Sequence, residues 1–157
     1  MTTHFTDLLD YTSDDVSKPR GCPEAWLTAD LGPFIRDKSR SGTEFIRFDL
    51  LNVQPHEDNP PDVMESLKDI DFSKLRSPFC PNLTVDYWLT EDALYHLSGM
   101  LDRVIGHPNA SLRSRLEETR GVRVMFKVKP RVRENGEQTG ETQVDGRSLG
   151  PVTYINP

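Results

Sequence analysis

Apolar and polar positions follow two periods along this chain. From Ala25 they alternate, with Ala25, Leu27, Ala29 and Leu31 on one face and Trp26, Thr28 and Asp30 on the other, the period of a half-buried strand. Residues 32–44, with Gly32, Pro33, Gly42 and the string Arg36-Asp37-Lys38-Ser39-Arg40, read as a polar turn. A second strand is predicted over Phe45–Val53, with Ile46, Phe48 and Leu50 facing one way and Phe45, Arg47, Asp49 and Leu51 the other, so that the two strands make a hairpin. A third runs from Leu83 to Leu89. At Thr90 the period changes to that of a helix, with Ala93, Leu94, Leu97, Met100, Leu101, Val104 and Ile105 on one face and Gly106 and Pro108 as stops. A short second helix is predicted from about Ser111 to Arg120. The clearest strand follows, Val122, Val124, Phe126, Val128 and Val132 alternating with Arg123, Met125, Lys127, Lys129, Arg131 and Arg133. A turn at Glu134-Asn135-Gly136 leads to a weaker last strand within Gln143–Ile155, interrupted by Gly146 and Gly150.

Three strands, a helix and two more strands predict a mainly β fold with helices (α+β). One architecture that uses this order is the OB-fold, a five-stranded barrel with the helix between strands three and four, which commonly binds oligonucleotides. A different small β-barrel or an α+β sandwich is the alternative. The 157 residues suit one domain. We read residues 1–20, with the apolar cluster Phe5, Leu8, Leu9 and Tyr11, as an N-terminal arm, and 21–157 as the domain. Within it, residues 54–82 form an acidic, proline-rich insert, broken by Pro55, Pro60, Pro61, Pro78 and Pro81 and holding one helix candidate from Pro61. The insert is expected to lie outside the barrel and away from the cationic strand.

Apolar residues make up 35% of the chain and charged residues 28%, a composition that folds. The longest apolar stretches are a few residues long and no export signal is evident, so the expectation is a cytoplasmic protein without a membrane partner. Cys22 and Cys80 lack metal or redox spacing and are expected to be free thiols. The net charge of −6 alone disfavours a polyanionic partner, but it is unevenly spread. Between Arg113 and Arg133 eight basic residues oppose two acidic ones, a local +6, so the remainder carries −12.

This asymmetry directs the choice of candidate residues. Arg123, Lys127, Lys129, Arg131 and Arg133 fall on one strand face at a period of about 6.6 Å, comparable with phosphates along an extended single strand. Arg36, Lys38 and Arg40 in the first turn, and Arg47 on the polar face of the second strand, are further candidates for phosphate contact. Trp26, Phe45 and Trp88 lie opposite the apolar rows of their strands, where bases can stack. No catalytic constellation is found: His4, His56, His96 and His107 are dispersed and there is no phosphate-binding glycine loop. The acids Glu57, Asp58, Asp62, Glu65, Asp69 and Asp71 lie on a proline-broken insert, a poor frame for a metal site. The expectation is therefore a non-enzymatic binder of single-stranded DNA with neither metal nor cofactor. The alternative is a protein-interaction module, an inhibitor or adaptor acting through its acidic surface, for example as a DNA mimic.

Lys18-Pro-Arg-Gly-Cys-Pro-Glu-Ala-Trp, followed by Arg40-Ser-Gly-Thr-Glu-Phe-Ile-Arg-Phe, resembles the opening of a bacteriophage protein family encoded near replication and recombination genes. The string from Thr90 to Gly106 and then Thr119-Arg-Gly-Val-Arg-Val is similar to that family's helix and fourth strand. The resemblance implies an OB-like single-stranded DNA-binding or recombination-associated protein, with replication or recombination proteins as further partners and self-association left open. Many such proteins end in an acidic recruiting tail, whereas this chain ends Leu149-Gly-Pro-Val-Thr-Tyr-Ile-Asn-Pro. A recruiting element would then have to be the acidic insert, residues 54–71.

Overall fold

The computed structural model describes residues 7–12 and 21–155. Five strands, β1 (Ala25–Lys38), β2 (Glu44–Pro55), β3 (Thr84–Trp88), β4 (Arg123–Val132) and β5 (Gln138–Pro151), form one antiparallel sheet in the order β3-β2-β1-β4-β5. Three α-helices among the described residues, α1 (Pro61–Leu67), α2 (Leu94–Val104) and α3 (Leu112–Glu117), complete an α+β fold. No helix among the described residues is long and apolar enough to cross a membrane. Of the expected arm, residues 1–6 and 13–20 fall outside the described residues, while Leu8–Asp10 form a single 3-10 turn with Leu8 and Leu9 exposed.

β1 runs seven residues past its predicted end at Leu31, and Arg36 and Lys38, expected in a loop, stand opposite Ile46 and Glu44 on β2. Gly32 and Pro33 do not end the strand because they occupy an irregularity in the register between Leu31 and Phe34, where a proline sacrifices no ladder hydrogen bond. The ladder to β4 ends at Asp30, Leu31 still exchanges backbone hydrogen bonds with Val122 and Gly121 (2.9 and 2.7 Å), and from Gly32 onward β1 is paired with β2 alone. The actual turn is Ser39–Thr43, closed by the Ser39 and Gly42 N–H groups on the Thr43 and Ser39 carbonyls (2.8 and 2.9 Å). Gly42 supplies the positive φ of 87° there.

Leu27, Ala29 and Leu31 of β1, Phe48 of β2, and Val124 and Phe126 of β4 are essentially inaccessible, as the alternation predicted. Leu97, Met100 and Leu101 of α2 join this core, on the face that the i, i+3, i+4 spacing defines. α2 begins at Leu94 rather than Thr90, but the Thr90 hydroxyl still accepts the Ala93 N–H at the start of the preceding turn (3.2 Å). The helix packs across β3 and β5, and the Arg103 Nε donates to the Leu149 carbonyl (3.0 Å).

β3 and β5 are the edges of the sheet, and among the described residues no ladder joins them, so the sheet is open where a closed barrel was expected. The edges do meet through side chains. The buried Tyr87 hydroxyl donates to the Gly146 carbonyl (2.8 Å), and a Cβ at Gly146 would stand 3.3 Å from the Tyr87 ring.

The insert is not peripheral. Leu67 and Leu75 belong to the main core, and the Thr142 N–H of β5 donates to the Arg76 carbonyl (2.8 Å). Asn59 acts as a surrogate strand for Trp26: its Oδ1 accepts the Trp26 N–H (3.0 Å) and its Nδ2 donates to the Trp26 carbonyl (2.8 Å). Buried His56 bridges the Asp58 N–H and the Thr153 carbonyl (3.0 and 2.7 Å), tying the insert to the residues after β5.

Candidate nucleic-acid interface

β2 and β3 place Phe45 opposite Trp88 and Arg47 opposite Asp86. Because side chains on one face of a strand recur every second residue, these four form two adjacent cross-strand pairs on the face away from the core. The Phe45 and Trp88 rings meet edge to face with centroids 5.5 Å apart. The Arg47 guanidinium grips both Asp86 oxygens (2.8 and 2.9 Å) and lies 4.7 Å from the Phe45 ring centroid. Its bond to Asp86 raises the Arg47 pKa further, so it stays charged. Phe45 is only 6% exposed beneath these neighbours and supports the surface rather than offering a stacking face, which corrects its expected role. Trp88 is 43% exposed and does offer one.

These residues line an open cleft of about 1020 Å³ together with Lys38 and Arg40 beside the first turn and Lys127 and Lys129 of β4. Seven of the twelve sequence candidates therefore line one cavity. Its charge is nearly balanced: Lys38, Arg40, Arg47, Lys127 and Lys129 are set against Glu24, Asp37, Asp86 and Asp145, a net +1. Arg47 is committed to Asp86, and Lys127 lies 3.8 Å from Glu24. Lys38, Arg40 and Lys129 have no ion-pair partner among the described residues.

The other candidates are elsewhere. Arg36 is turned to the exposed Glu44 carboxylate (3.2 and 3.1 Å) and lies outside the cleft lining. Its guanidinium holds the Glu44 carboxyl below the usual range. Trp26 is half-buried and also outside the lining. Arg123 is spent internally, donating to Thr28 Oγ1, the Asn52 carbonyl, Asp30 Oδ1 and Gln54 Oε1 (2.7, 2.8, 3.3 and 3.4 Å). Hydrogen bonds from Asn52 and then Arg123 hold the Asp30 carboxyl low despite opposing desolvation. Arg131 and Arg133 also leave the expected row, because the β4–β5 register breaks between Pro130 and Val132 and the alternation does not carry through. They line a separate depression of about 390 Å³ together with Arg76 and Phe79.

Phe79 is the residue that pattern reading missed. It borders both the cleft and the depression, is 90% exposed, and has a φ of +62°. The Cys80 N–H donates to the Ser77 carbonyl (3.1 Å), so Phe79 occupies the third position of a tight Ser-Pro-Phe-Cys turn, where a positive φ favours glycine. A bulky residue there costs on the order of 1–3 kcal/mol. Glu141 stabilises the turn: its Oε2 accepts the Phe79 N–H and its Oε1 accepts Arg131 Nη1, both at 3.2 Å. Arg131 in turn sits over the Phe79 ring, 5.3 Å from its centroid. Ser77 and Pro78 also line the cleft, so the end of the insert lies beside Lys127 and Lys129 rather than away from them. The signal in the sequence was Phe79 between Pro78 and Pro81, where no regular element can bury a ring.

Both cysteines are free, and burial pushes the Cys22 thiol up to about 12. No group of three or more His, Cys, Asp or Glu able to hold a metal occurs among the described residues. All six acids singled out in the insert are exposed. Comparison with family models and with curated proteins finds no match to this chain.

Proposed function

We propose that this protein binds single-stranded DNA, tolerant of sequence and without catalysing a reaction on it. The observation that carries the reading is the meeting, in one open cleft, of an exposed indole, Trp88, with Lys38, Arg40 and Lys129, three cations without an ion-pair partner among the described residues. A base stacks on the indole while flanking phosphates meet the cations. The order β3-β2-β1-β4-β5, with α2 between β3 and β4 and the edges drawn together at Tyr87 and Gly146, supports an OB-fold-like barrel with an incomplete seam. The setting is phage-type replication or recombination in the host cytoplasm, as the family resemblance implies. The exposed carboxylates of the insert are then the surface that recruits replication or recombination proteins.

The exposure of those carboxylates equally favours the competing reading, a protein-interaction module acting through its acidic face. Fluorescence anisotropy of a labelled oligothymidylate at two salt concentrations separates them. DNA binding by the cleft predicts affinity that falls with salt, with a slope of about −2 from three phosphate contacts at roughly −0.7 each. Absence of binding at low salt leaves the interaction module as the reading.

A further inference from the structure

The cleft ends at Phe79, and the far side of that ring opens onto Arg76, Arg131 and Arg133. A phenylalanine almost fully in solvent contributes little to folding, and one held at positive φ opposes it. Yet the surroundings fix this ring in place: Glu141 binds its N–H, Arg131 lies over the ring, and the chain on either side is anchored by the Thr142-to-Arg76 and Cys80-to-Ser77 hydrogen bonds. A rigid aromatic held into water over a guanidinium is the arrangement that a nucleobase stacks on, because orienting the ring needs no further ordering when the base arrives. Arg76 and Arg133 border the same depression, and neither has an ion-pair partner among the described residues. The depression's ionisable lining is three arginines against Glu141, a net +2, more cationic than the cleft.

We propose that Phe79, with Arg76 and Arg133, forms a second nucleotide subsite that extends the path of a single DNA strand out of the Trp88 cleft. This rests on the strand-binding reading of the cleft. One base stacks on the Phe79 ring, and its neighbouring phosphate lies between Arg76 and Arg133, while Arg131 stays with Glu141 and keeps the ring in position.

Labelled oligothymidylates of about six and about sixteen nucleotides, within or near the site sizes of such folds, test this by anisotropy against wild type, F79A, F79G and F79W. The expected result is that the short oligomer, held in the cleft around Trp88, distinguishes the four proteins much less than the long one does. F79A and F79G then lose about 5- to 150-fold on the long one, the cost of one stacked base, and F79W retains the wild-type affinity. F79G, which removes the strain, should melt no lower than wild type, so that the loss of affinity is separated from any loss of folding. Equal affinity of F79A and wild type for the long oligomer overturns the subsite while the cleft reading stands. Equal losses on both lengths overturn it as a separate subsite. Binding of neither oligomer by wild type overturns the cleft reading and the subsite with it.

Discussion

Replacing Asp86 by asparagine should tighten DNA binding, although it breaks one of the best-formed ion pairs in the molecule. Asp86 holds Arg47 through two hydrogen bonds in the lining of the cleft, with side chains about a third or less exposed (32% and 26%). Asparagine keeps the shape and one acceptor but removes the charge, so the cleft changes from five cations against four acids to five against three. Arg47 is then available to a phosphate. On a single strand one more neutralised phosphate steepens the dependence of log affinity on log salt by about 0.7. Between about 50 and 200 mM salt the variant should therefore lose about 2.6-fold more affinity than wild type, starting from tighter binding. Breaking a partly exposed pair costs at most about 1 kcal/mol of stability, so the variant remains folded. The control is R47A, which loses the same pair but removes the cation. Anisotropy titrations should show D86N and R47A moving affinity in opposite directions. If both weaken binding alike, or neither changes the slope, the Arg47–Asp86 pair only supports the sheet and the strand does not lie over it.

Arg115 of α3 is buried and its Nη1 meets Asp102 of α2 at 2.5 Å, while its Nε has no hydrogen-bond partner among the described residues; D102N should destabilise by about 2 kcal/mol, less than for a fully buried pair because Asp102 is half exposed, read as a lower chemical-denaturation midpoint. With its thiol raised to about 12, Cys22 is about one part in 10⁴ thiolate at pH 8, so a disulfide reagent should titrate Cys80 first and Cys22 only on unfolding; equal rates would contradict the burial. Desolvation opposes ionisation of Glu141, but hydrogen bonds from Thr139, the Phe79 N–H and Arg131 outweigh it and hold the carboxyl below its ordinary 4.5. The stability it adds is therefore complete above pH 4.5 and lost as pH falls through the depressed value, and E141Q should flatten that part of the acid-melting profile.

Where alternation continued over a run of residues, the elements could be read directly. The Val124, Phe126, Val128 row of β4 and the Leu97, Met100, Leu101 face of α2 are buried as the periods require. Reading failed where a local rule was overruled by the neighbouring strand. Gly32 and Pro33 look like a strand end until it is known that β4 has already left that edge and that a bulge absorbs them. Pro130 marks the place where the basic row divides, but only the β4–β5 register shows that Arg131 falls to Glu141. The types of residue that line the cleft were legible as well, because a cation at every second strand position is conspicuous. Which cations are available was not. Arg47 and Asp86 are 39 residues apart, and the acceptors of Arg123 come from β1 and β2, so their commitment depends on sheet order rather than on anything local.

The same pairing shapes what the proposed site discriminates. A cleft with a net charge of +1 in a chain of net charge −6 cannot hold DNA by its backbone charge alone, since the attraction of each phosphate to the cleft is opposed by repulsion from the rest of the surface. Duplex DNA presents mainly that backbone, and its bases are stacked on one another where neither Trp88 nor Phe79 can reach a free face. A single strand adds about 1–3 kcal/mol for each base it stacks on an exposed ring. In the proposed site a preference for single strands would follow from the near-neutrality of the cleft, and it should be sensitive to charge. K129E would take the cleft to −1 and weaken all binding, whereas W88A would leave the salt slope near its wild-type value and remove most of the difference between single and double strands. Competition of duplex against a labelled oligothymidylate measures that difference. If W88A preserves it, the discrimination comes from the shape of the backbone path and not from stacking.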